Sequence, residues 1–482
     1  MPHPLLAMDA TAQLQAMAMN RISAVELLTV CMRRADRVNG ALNAVVARDV
    51  ERALRIANAV DERRAAMDAL GPLAGLPMTI KDSLDVSGMP ASAGVRALRN
   101  RLGDEAAAVV RLRDADAVIW GKTNVPVMSS DFQTFNDLYG VTSNPWNPAL
   151  TPGGSSGGAA AALASGITAL ELGSDIGGSL RVPASFCGVF AHKPTFGLVE
   201  KRGHVPPLPG NLAQDDLSVV GPMARSARDL RLAMSILARA PLAAPATPLG
   251  LRDLKVGVWM DDPILLVDPE IGQTISRFMD ELIAAGVSAW MEKRPVSSET
   301  LLNTYYTLLM SLMAAGHGRG EQMLYAALKP FADLAVALGV GPRSLARVIR
   351  ASRASHRDWL AADEQRARLT AVMDDAFKRM DVLICPCAPV AAFAHDRRPL
   401  PLRRIALSTG GNAPYLSLLD WSALPIVCGL PATAIPVGQT ADGRPVGVQI
   451  IGPRGGDSRT IAVAEAIEQA LGGFVAPGRD AV

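Results

Sequence analysis

The chain has 482 residues, and its 48 Lys and Arg against 46 Asp and Glu leave a formal charge of only +2. So small an excess provides no broad positive field for phosphates, which argues against nucleic-acid binding as the main task. Hydrophobic residues make up 49% and charged residues 20% of the chain, which excludes a disordered protein and supplies material for a large core. Length alone favours about three domains.

The five cysteines are an odd number at unrelated spacings, which argues against a disulfide framework and favours a reducing compartment. Cys385 and Cys387 are too close for a usual zinc pair, so we expect them to pack in the core and to bind no metal. The first 20 residues lack the pattern of a signal peptide, and no run reaches about 18 strongly apolar residues. We therefore expect a cytoplasmic protein that makes no membrane contact.

Residues 1–70 show helical periodicity and predict an N-terminal helical segment. Ser23 and Glu26 have the spacing of a capping box before an amphipathic helix, and 49–67 separates charged and Ala/Leu-rich faces. Residues 71–254 change to short apolar runs between Gly/Pro/Ser-rich turns. Strands are predicted at 76–80, 117–120 and 167–172. Short strands alternating with helical segments favour an α/β sheet.

Residues 255–380 begin with a predicted strand at 255–259 and a helix at 269–285, and continue as a mainly helical stretch. Residues 381–482 predict strands at 382–384, 432–436 and 446–451 and a final helix at 459–471. No internal repeat and no low-complexity linker marks a domain boundary.

Five arginines in the helical stretch follow spacings of three or four residues: Arg343, Arg347, Arg350, Arg353 and Arg357. This spacing predicts one amphipathic helix whose basic face is solvated. An anion site or a partner site on that face is the alternative.

Two glycine–serine turns are the most unusual segments of the chain. Residues 151–158 (TPGGSSGG) run directly into the alanine-rich 159–164, a pattern typical of a tightly packed buried helix. The second turn is 173–181 (GSDIGGSLR). The turns contain Ser155 and Ser179, which the intervening helix and strand could bring face to face.

Three interpretations of these turns compete. A phosphate cradle lacks support, because neither turn ends in the Lys-Ser/Thr of a P-loop or has the dinucleotide spacing. Residues 153–157 match the G-x-S-x-G of a nucleophile elbow, but that motif needs a strand directly before it, and three prolines in 143–152 exclude a central strand. The third interpretation is structural: glycine turns that carry surface serines.

Lys81 ends the apolar run 75–81. A lysine there is ordinarily a surface cation beyond the end of a strand. A buried lysine, however, can lose its proton and act as a base, because desolvation lowers its pKa. A serine hydroxyl needs such a neighbour to become nucleophilic at neutral pH.

In combination these segments resemble the amidase signature family: a lysine in a GLPMTIKD-type strand, then PGGSSGG, then GSDIGGSLRVPASFCGV, with Ser155 and Ser179 24 positions apart as in family members. Further similar pieces are 121–124 (GKTN), 144–146 (NPW), 193–195 (KPT), 220–225 (VGPMAR), 429–431 (GLP) and 445–449 (PVGVQ). The resemblance is weakest between 255 and 380. It implies an α/β fold with a large mixed β-sheet sandwiched by helices.

The same resemblance implies one large domain. Residues 71–254 form its amidase signature core and 381–482 its C-terminal part, while 255–380 form a variable, mostly helical cap over the site.

The resemblance also implies a Ser-Ser-Lys mechanism that needs no cofactor, metal or histidine. Ser179 corresponds to the nucleophile, Ser155 to a bridging serine on a cis peptide bond, and Lys81 to the base. The other positions that match are backbone donors of an oxyanion hole (Ile176, Gly177, Gly178 and Ser179), a backbone contact to substrate (Ser129), and residues that hold the turns (Ser156, Asp175 and Arg181). His192 lies near the motif and is expected to pack in the core.

The predicted function is an amidohydrolase that cleaves linear amides, or related esters or carbamates, of small and rather hydrophobic substrates. The apolar stretch 301–315, expected near the substrate, favours an aryl or alkyl group over a zwitterion. The first alternative is the glutaminase subunit of a tRNA-dependent amidotransferase, and the second is a catalytically silent binding scaffold. We expect a monomer or homodimer whose partner is a small-molecule amide.

Overall fold

The computed structural model describes residues 3–207, 213–242, 250–292 and 294–478. Its strands are β1 (Val45–Arg48), β2 (Pro77–Lys81), β3 (Val118–Thr123), β4 (Phe135–Asn136), β5 (Gly140–Val141), β6 (Leu170–Asp175), β7 (Phe190–Lys193), β8 (Val219–Ala224), β9 (Lys255–Val258), β10 (Ser288–Met291), β11 (Val382–Pro386), β12 (Arg404–Ala406), β13 (Asn412–Pro414), β14 (Ala432–Gln439) and β15 (Pro445–Ile451). Its α-helices are α1 (Ala10–Ala18), α2 (Ala24–Leu42), α3 (Val50–Ala65), α4 (Ala107–Asp114), α5 (Gly157–Ala164), α6 (Arg181–Cys187), α7 (Ala227–Leu237), α8 (Pro269–Ala284), α9 (Ser298–Ala314), α10 (Arg319–Ala337), α11 (Leu345–Ser352), α12 (His356–Ala376), α13 (Ala423–Val427) and α14 (Asp457–Leu471).

Eleven of the strands form one sheet in the order β1-β3-β2-β6-β8-β7-β14-β15-β11-β9-β10. β2 runs parallel to β3 and β6, and β9 runs parallel to β10 and β11, whereas the central strands from β6 to β11 pair antiparallel. Helices such as α3, α6, α7 and α14 pack against this sheet. The predicted fold class, a large mixed sheet flanked by helices, is confirmed. The sheet also takes in β9 and β10 from the 255–380 region.

The N-terminal segment is mainly helical, as predicted, and Ser23 and Glu26 form the expected capping box at the start of α2. The structure adds a strand that local periodicity does not predict, β1, which pairs antiparallel with β3 at the edge of the sheet. Only four residues long, β1 owes its conformation to this pairing and not to a pattern of its own.

The prediction of one basic helix from Arg343 to Arg357 is wrong. Serine caps divide the stretch: Ser344 accepts from the backbone N–H of Arg347 to begin α11, and Ser355 forms a capping box that begins α12. The predicted solvated face is also wrong at its first residue, because Arg343 forms an ion pair with the buried Asp420.

The core of the protein consists largely of aliphatic side chains on both faces of the sheet. All eight residues of α5 are buried, as the alanine run predicts. The five cysteines are free and buried, and His192 packs in the interior between Thr433 and Asp457. Among the helices of the described ranges, none is both long and apolar enough to cross a membrane.

The arrangement of β2 and β6 positions the predicted site. The two strands are parallel neighbours, with Thr79 opposite Glu171 and Ile80 opposite Leu172. Their carboxyl ends therefore meet at the same edge of the sheet, which is where α/β sheets commonly bind ligands. β2 ends at Lys81, and β6 ends at Asp175, directly before the turn that contains Ser179.

Candidate active site

Lys81 is completely buried, and its side-chain nitrogen lies among three serine hydroxyls. Nζ is 2.7 Å from Ser155 Oγ, 2.9 Å from Ser174 Oγ and 3.0 Å from Ser156 Oγ. These serines come from the 151–158 turn and from the end of β6, so two separate segments of the chain converge on the lysine at the end of β2. The ordinary interpretation of Lys81 as a surface cation is thereby excluded.

The surroundings of Lys81 favour its neutral form. Burial lowers the pKa of Lys81 to about 7, against the opposing influence of Asp175 and Glu171. Burial also raises the pKa of Glu171 to about 8, although Thr79 Oγ1 donates a hydrogen bond of 2.5 Å to its carboxyl group. Burial thus favours the uncharged form of both groups, and the influence of the two carboxyl groups on Lys81 does not cancel the effect of its burial.

Close packing holds the 151–158 turn against the rest of the site. The Gly154–Ser155 peptide bond is cis, as the resemblance implies, and Ser155 is buried. An added Cβ at Gly154 would overlap the backbone oxygen of Asp131, so this position accepts only glycine. The backbone N–H of Ser156 donates to the carbonyl oxygen of Ser179 at 3.2 Å, which joins the two glycine–serine turns directly.

The Ser179 turn presents backbone N–H groups at the sheet edge. Gly178 donates its N–H to Asp175 Oδ1 at 2.8 Å, so this predicted oxyanion donor already has a partner. In the described part of the chain, the N–H groups of Ile176, Gly177 and Ser179 have no protein acceptor. Unpaired donors of this kind suit a developing oxyanion. Ser179 itself is only 6% exposed.

Asp175 and Arg181 hold the Ser179 turn from within. Both side chains are fully buried, and Arg181 binds Asp175 through Nε at 3.0 Å and Nη2 at 2.9 Å. Arg181 also donates to Gln449 Oε1 at 2.6 Å, on the neighbouring β15. Burial raises the pKa of Asp175, but Arg181 and the amides of Leu180 and Gly178 outweigh it, so the pKa lies below its usual value.

The predicted contact at Ser129 stays a prediction. Ser129 lies in a short turn in which both it and Met128 have positive φ angles, of 54° and 52°. Its N–H donates to the carbonyl of Pro126 at 2.9 Å, and its buried hydroxyl has no hydrogen-bond partner among the described residues.

Apolar and aromatic side chains form a wall beside the Ser179 turn. A Cβ built on Gly177 would lie 2.9 Å from Leu419, 3.3 Å from the Tyr305 hydroxyl and 3.9 Å from Phe132. The Tyr305 hydroxyl donates to the carbonyl of Ile176 at 3.0 Å. Tyr305 belongs to α9, so the apolar 301–315 stretch does reach the turn.

Sequence reasoning missed Ser174, which contacts Lys81, and His204, which contacts Ser174. Ser174 precedes Asp175 in the recognised motif, and its place at the end of a strand beside β2 was the available signal. His204 is 30 residues further along the chain, and its Nε2 lies 2.8 Å from Ser174 Oγ. No spacing in the sequence connects His204 with the two glycine–serine turns or with Lys81.

Comparison with known proteins gives the family. The Amidase family model matches residues 26–461. The chain is 33% identical over 494 residues to a subunit of the glutamyl-tRNA(Gln) amidotransferase of Synechococcus sp. (strain CC9605), covering 96% of each protein.

Two solved structures are similar along the whole chain. One is an amidase, with 28% identity and a TM-score of 0.79, covering 96% of this chain and 100% of that chain. The other is 6-aminohexanoate cyclic dimer hydrolase, with 27% identity and a TM-score of 0.77, covering 97% of both chains. The chain therefore belongs to the amidase signature family and is an enzyme that hydrolyses carbon–nitrogen bonds.

Proposed function

We propose that the enzyme hydrolyses linear amides of small, hydrophobic substrates, and related esters or carbamates, through an acyl-enzyme on Ser179. The observation that carries this proposal is the 2.7 Å contact between buried Lys81 and Ser155, at the sheet edge where the Ser179 turn begins. A lysine with a pKa of about 7 is substantially neutral in the physiological range and can accept a proton.

In the proposed mechanism Ser179 Oγ attacks the carbonyl carbon of the substrate. As the new C–O bond forms, the proton of Ser179 passes to Ser155, whose own proton passes to neutral Lys81. Collapse of the tetrahedral intermediate breaks the C–N bond, and Ser155 returns a proton to the departing amine while Lys81 re-protonates Ser155. Water then attacks the acyl-enzyme by the same route, releasing the acid and restoring Ser179.

The oxyanion of each tetrahedral intermediate is assigned to the unpaired N–H groups of Ile176, Gly177 and Ser179. Removing one such donor typically costs about 10²–10³ in rate. Gly178 acts here through its bond to Asp175, which holds the turn in shape, and not as a donor to substrate.

The wall of Phe132, Tyr305 and Leu419 supports a hydrophobic substrate. Because α9 supplies Tyr305, we assign the 255–380 region the role of a cap that helps to shape the pocket. The similar solved hydrolase acts, by its name, on a cyclic dimer of 6-aminohexanoate. The Tyr305 hydroxyl is already bonded to the Ile176 carbonyl, so we expect a substrate to meet mainly the aromatic ring of Tyr305.

The glutaminase subunit of an amidotransferase is the second candidate, favoured by the name of the Synechococcus relative. Free glutamine carries both an ammonium and a carboxylate, and a site for it needs charged partners for both. Two carboxylates that neighbour wall residues in the sequence are already paired with arginines: Arg343 Nε lies 2.8 Å from Asp420 Oδ2, and Arg403 binds Asp131. This pairing favours the neutral, hydrophobic substrate.

Purified protein, tested without any partner, separates the two candidates. The proposal expects amine release from a hydrophobic anilide, measured beside glutamine and a panel of esters and carbamates. It also expects fluorophosphonate labelling that Ser179→Ala abolishes and Ser155→Ala slows severely. Hydrolysis of glutamine alone, dependent on a partner, would establish the glutaminase instead. Normal labelling of Ser179→Ala would overturn the assignment of the nucleophile.

A further inference from the structure

A neutral lysine amine has two N–H donors and one lone pair, and Lys81 Nζ contacts three serine hydroxyls. Two hydroxyls must therefore accept from the amine, and the third must donate to its lone pair. Transfer of a proton from Ser155 to Lys81 requires that the third be Ser155. The environment of the other two hydroxyls decides whether this arrangement forms.

The proton of Ser156 has an acceptor away from the lysine. Ser156 Oγ lies 3.3 Å from the carbonyl oxygen of Ser174 and donates to it. A hydroxyl has a single proton, so Ser156 accepts from Lys81 at 3.0 Å and does not occupy the lone pair.

The proton of Ser174 is directed by His204. The imidazole Nδ1 lies 2.7 Å from the carbonyl oxygen of Pro206, which can only accept. In the neutral ring Nδ1 therefore carries the hydrogen, and Nε2 is an acceptor. Ser174 Oγ lies 2.8 Å from this Nε2 and donates to it, so Ser174 in turn accepts from Lys81.

We propose that His204 is a positioning residue for catalysis: by accepting the proton of Ser174, it leaves the lone pair of Lys81 to Ser155 alone. The inference rests on the proposed function, because it matters only if Lys81 accepts a proton from Ser155. His204 does not contact the reacting atoms, and its influence passes through the Ser174 hydroxyl.

The groups around His204 keep it neutral. Burial lowers its pKa to about 4, Lys81 and Lys201 act in the same direction, and the Pro206 carbonyl and Asp215 oppose the change. Lys201 and Asp215 form an ion pair of 2.9 Å, so their influences on the imidazole largely cancel. Nε2 therefore remains an acceptor over the whole range in which Lys81 titrates.

Ser83 provides a control within the same cluster. Its hydroxyl lies 3.1 Å from His204 Nε2, further than the 2.8 Å of Ser174, and its contact is with the imidazole and not with Lys81. Removing this hydroxyl leaves the link from His204 through Ser174 intact, so Ser83→Ala is expected to retain the wild-type pH profile.

Two substitutions divide the functions of the imidazole. His204→Gln places an amide oxygen near the position of Nε2 and keeps the acceptor for Ser174. His204→Asn places its amide nearer the position of Nδ1, so it retains the contact to Pro206 and loses the acceptor. The experiment measures kcat/KM against pH for the wild type, both variants and Ser83→Ala on one amide, with folding checked by thermal unfolding.

In His204→Asn the Ser174 hydroxyl loses its acceptor and donates to Lys81, where it competes with Ser155 for the lone pair of the amine. We expect the plateau of kcat/KM to be about tenfold lower, which corresponds to the free energy of one hydrogen bond. We also expect the acid limb to move to lower pH, because a hydrogen bond donated by Ser174 stabilises the neutral amine of Lys81. His204→Gln should keep the acid limb of the wild type and a plateau within about threefold, on the same scale of hydrogen-bond energies.

An acid limb displaced to higher pH in His204→Asn would indicate that water enters a loosened site, and would overturn the proposal. A loss of kcat/KM confined to His204→Gln would show that the contact with Pro206 is what matters, and this result would also overturn the proposal. If His204→Asn does not fold, His204→Gln alone tests the inference. A plateau of kcat/KM like that of the wild type supports it, and a plateau lowered tenfold contradicts it. Retained activity in Lys81→Ala would instead refute the proposed function itself.

Discussion

At the scale of single residues, the proposed mechanism makes the rate depend on the pKa of Lys81. Burial among serine hydroxyls lowers it to about 7, and only the neutral amine can accept the proton of Ser155. The direction of the pH dependence follows: the active fraction is large above this pKa and falls as the pH drops through it.

We expect kcat/KM to show an acid limb near pH 7, and Lys81→Ala to lower kcat/KM by about 10²–10⁴ at neutral pH, the usual contribution of a general base. Lys193 is also buried with a pKa of about 7, but it donates to the carbonyls of Pro194 and Leu430. A folded Lys193→Met variant should therefore keep the acid limb. Full activity of Lys81→Ala at pH 7 would refute the role of the base.

The buried pair of Arg181 and Asp175 gives a prediction about stability. Arg181→Met leaves the Asp175 carboxylate buried without its counter-ion, which costs roughly 3–5 kcal/mol of unfolding free energy. Urea denaturation measures this loss. The exposed pair of Lys378 and Asp375 is the comparison, because Lys378→Met should change the unfolding free energy by less than about 1 kcal/mol.

At the scale of elements, α5 determines how closely the 151–158 turn approaches the sheet. The helix is short, all of its residues are buried, and small side chains allow it to lie against β6 and α6. Glycine at its first positions is required by contact, because a Cβ at Gly158 would overlap the backbone of Asn124. The position of Ser155 therefore depends on this packing.

Gly158→Ala should destabilise the protein by about 1–3 kcal/mol, since overpacking forces the backbone to move. The displacement should also lower kcat, because the shifted helix carries Ser155 away from Lys81. Gly40, in α2, has no atom within 4 Å of an added Cβ. Gly40→Ala should leave activity unchanged and stabilise the fold by about 0.5–1 kcal/mol. Thermal unfolding and steady-state kinetics on the two variants test the contrast.

At the scale of the whole molecule, hydrogen bonds between segments far apart in the chain stabilise the fold. Asp229, at the start of α7, accepts from the backbone N–H of Ala10 at 2.7 Å and from the N–H and hydroxyl of Thr11 at 2.8 and 2.6 Å. Asp229 and Ala10 are 219 positions apart in the chain. The first turn of α1 thus depends on a carboxylate from the middle of the protein.

Asp229→Ala leaves those donors without an acceptor and should cost about 3 kcal/mol of unfolding free energy. Asp229 is buried, whereas Asp375 is exposed. Asp375→Ala should stay within about 0.5 kcal/mol of the wild type. Equal effects of the two substitutions in urea denaturation would show that the contact contributes nothing.

The sequence by itself determined that short strands alternate with helices, the places of seven of the fifteen strands among the described residues, and the order of Lys81, Ser155 and Ser179, because apolar periodicity and glycine-rich turns are local. The large mixed sheet followed from the family resemblance. The tertiary structure decided the edge strand β1 and the ion pair of Arg343 with Asp420, 77 positions apart. It also decided the protonation of the site. Burial lowers the pKa of Lys81, and Ser174 contacts both Lys81 and His204, because folding brings groups together that are far apart in the chain.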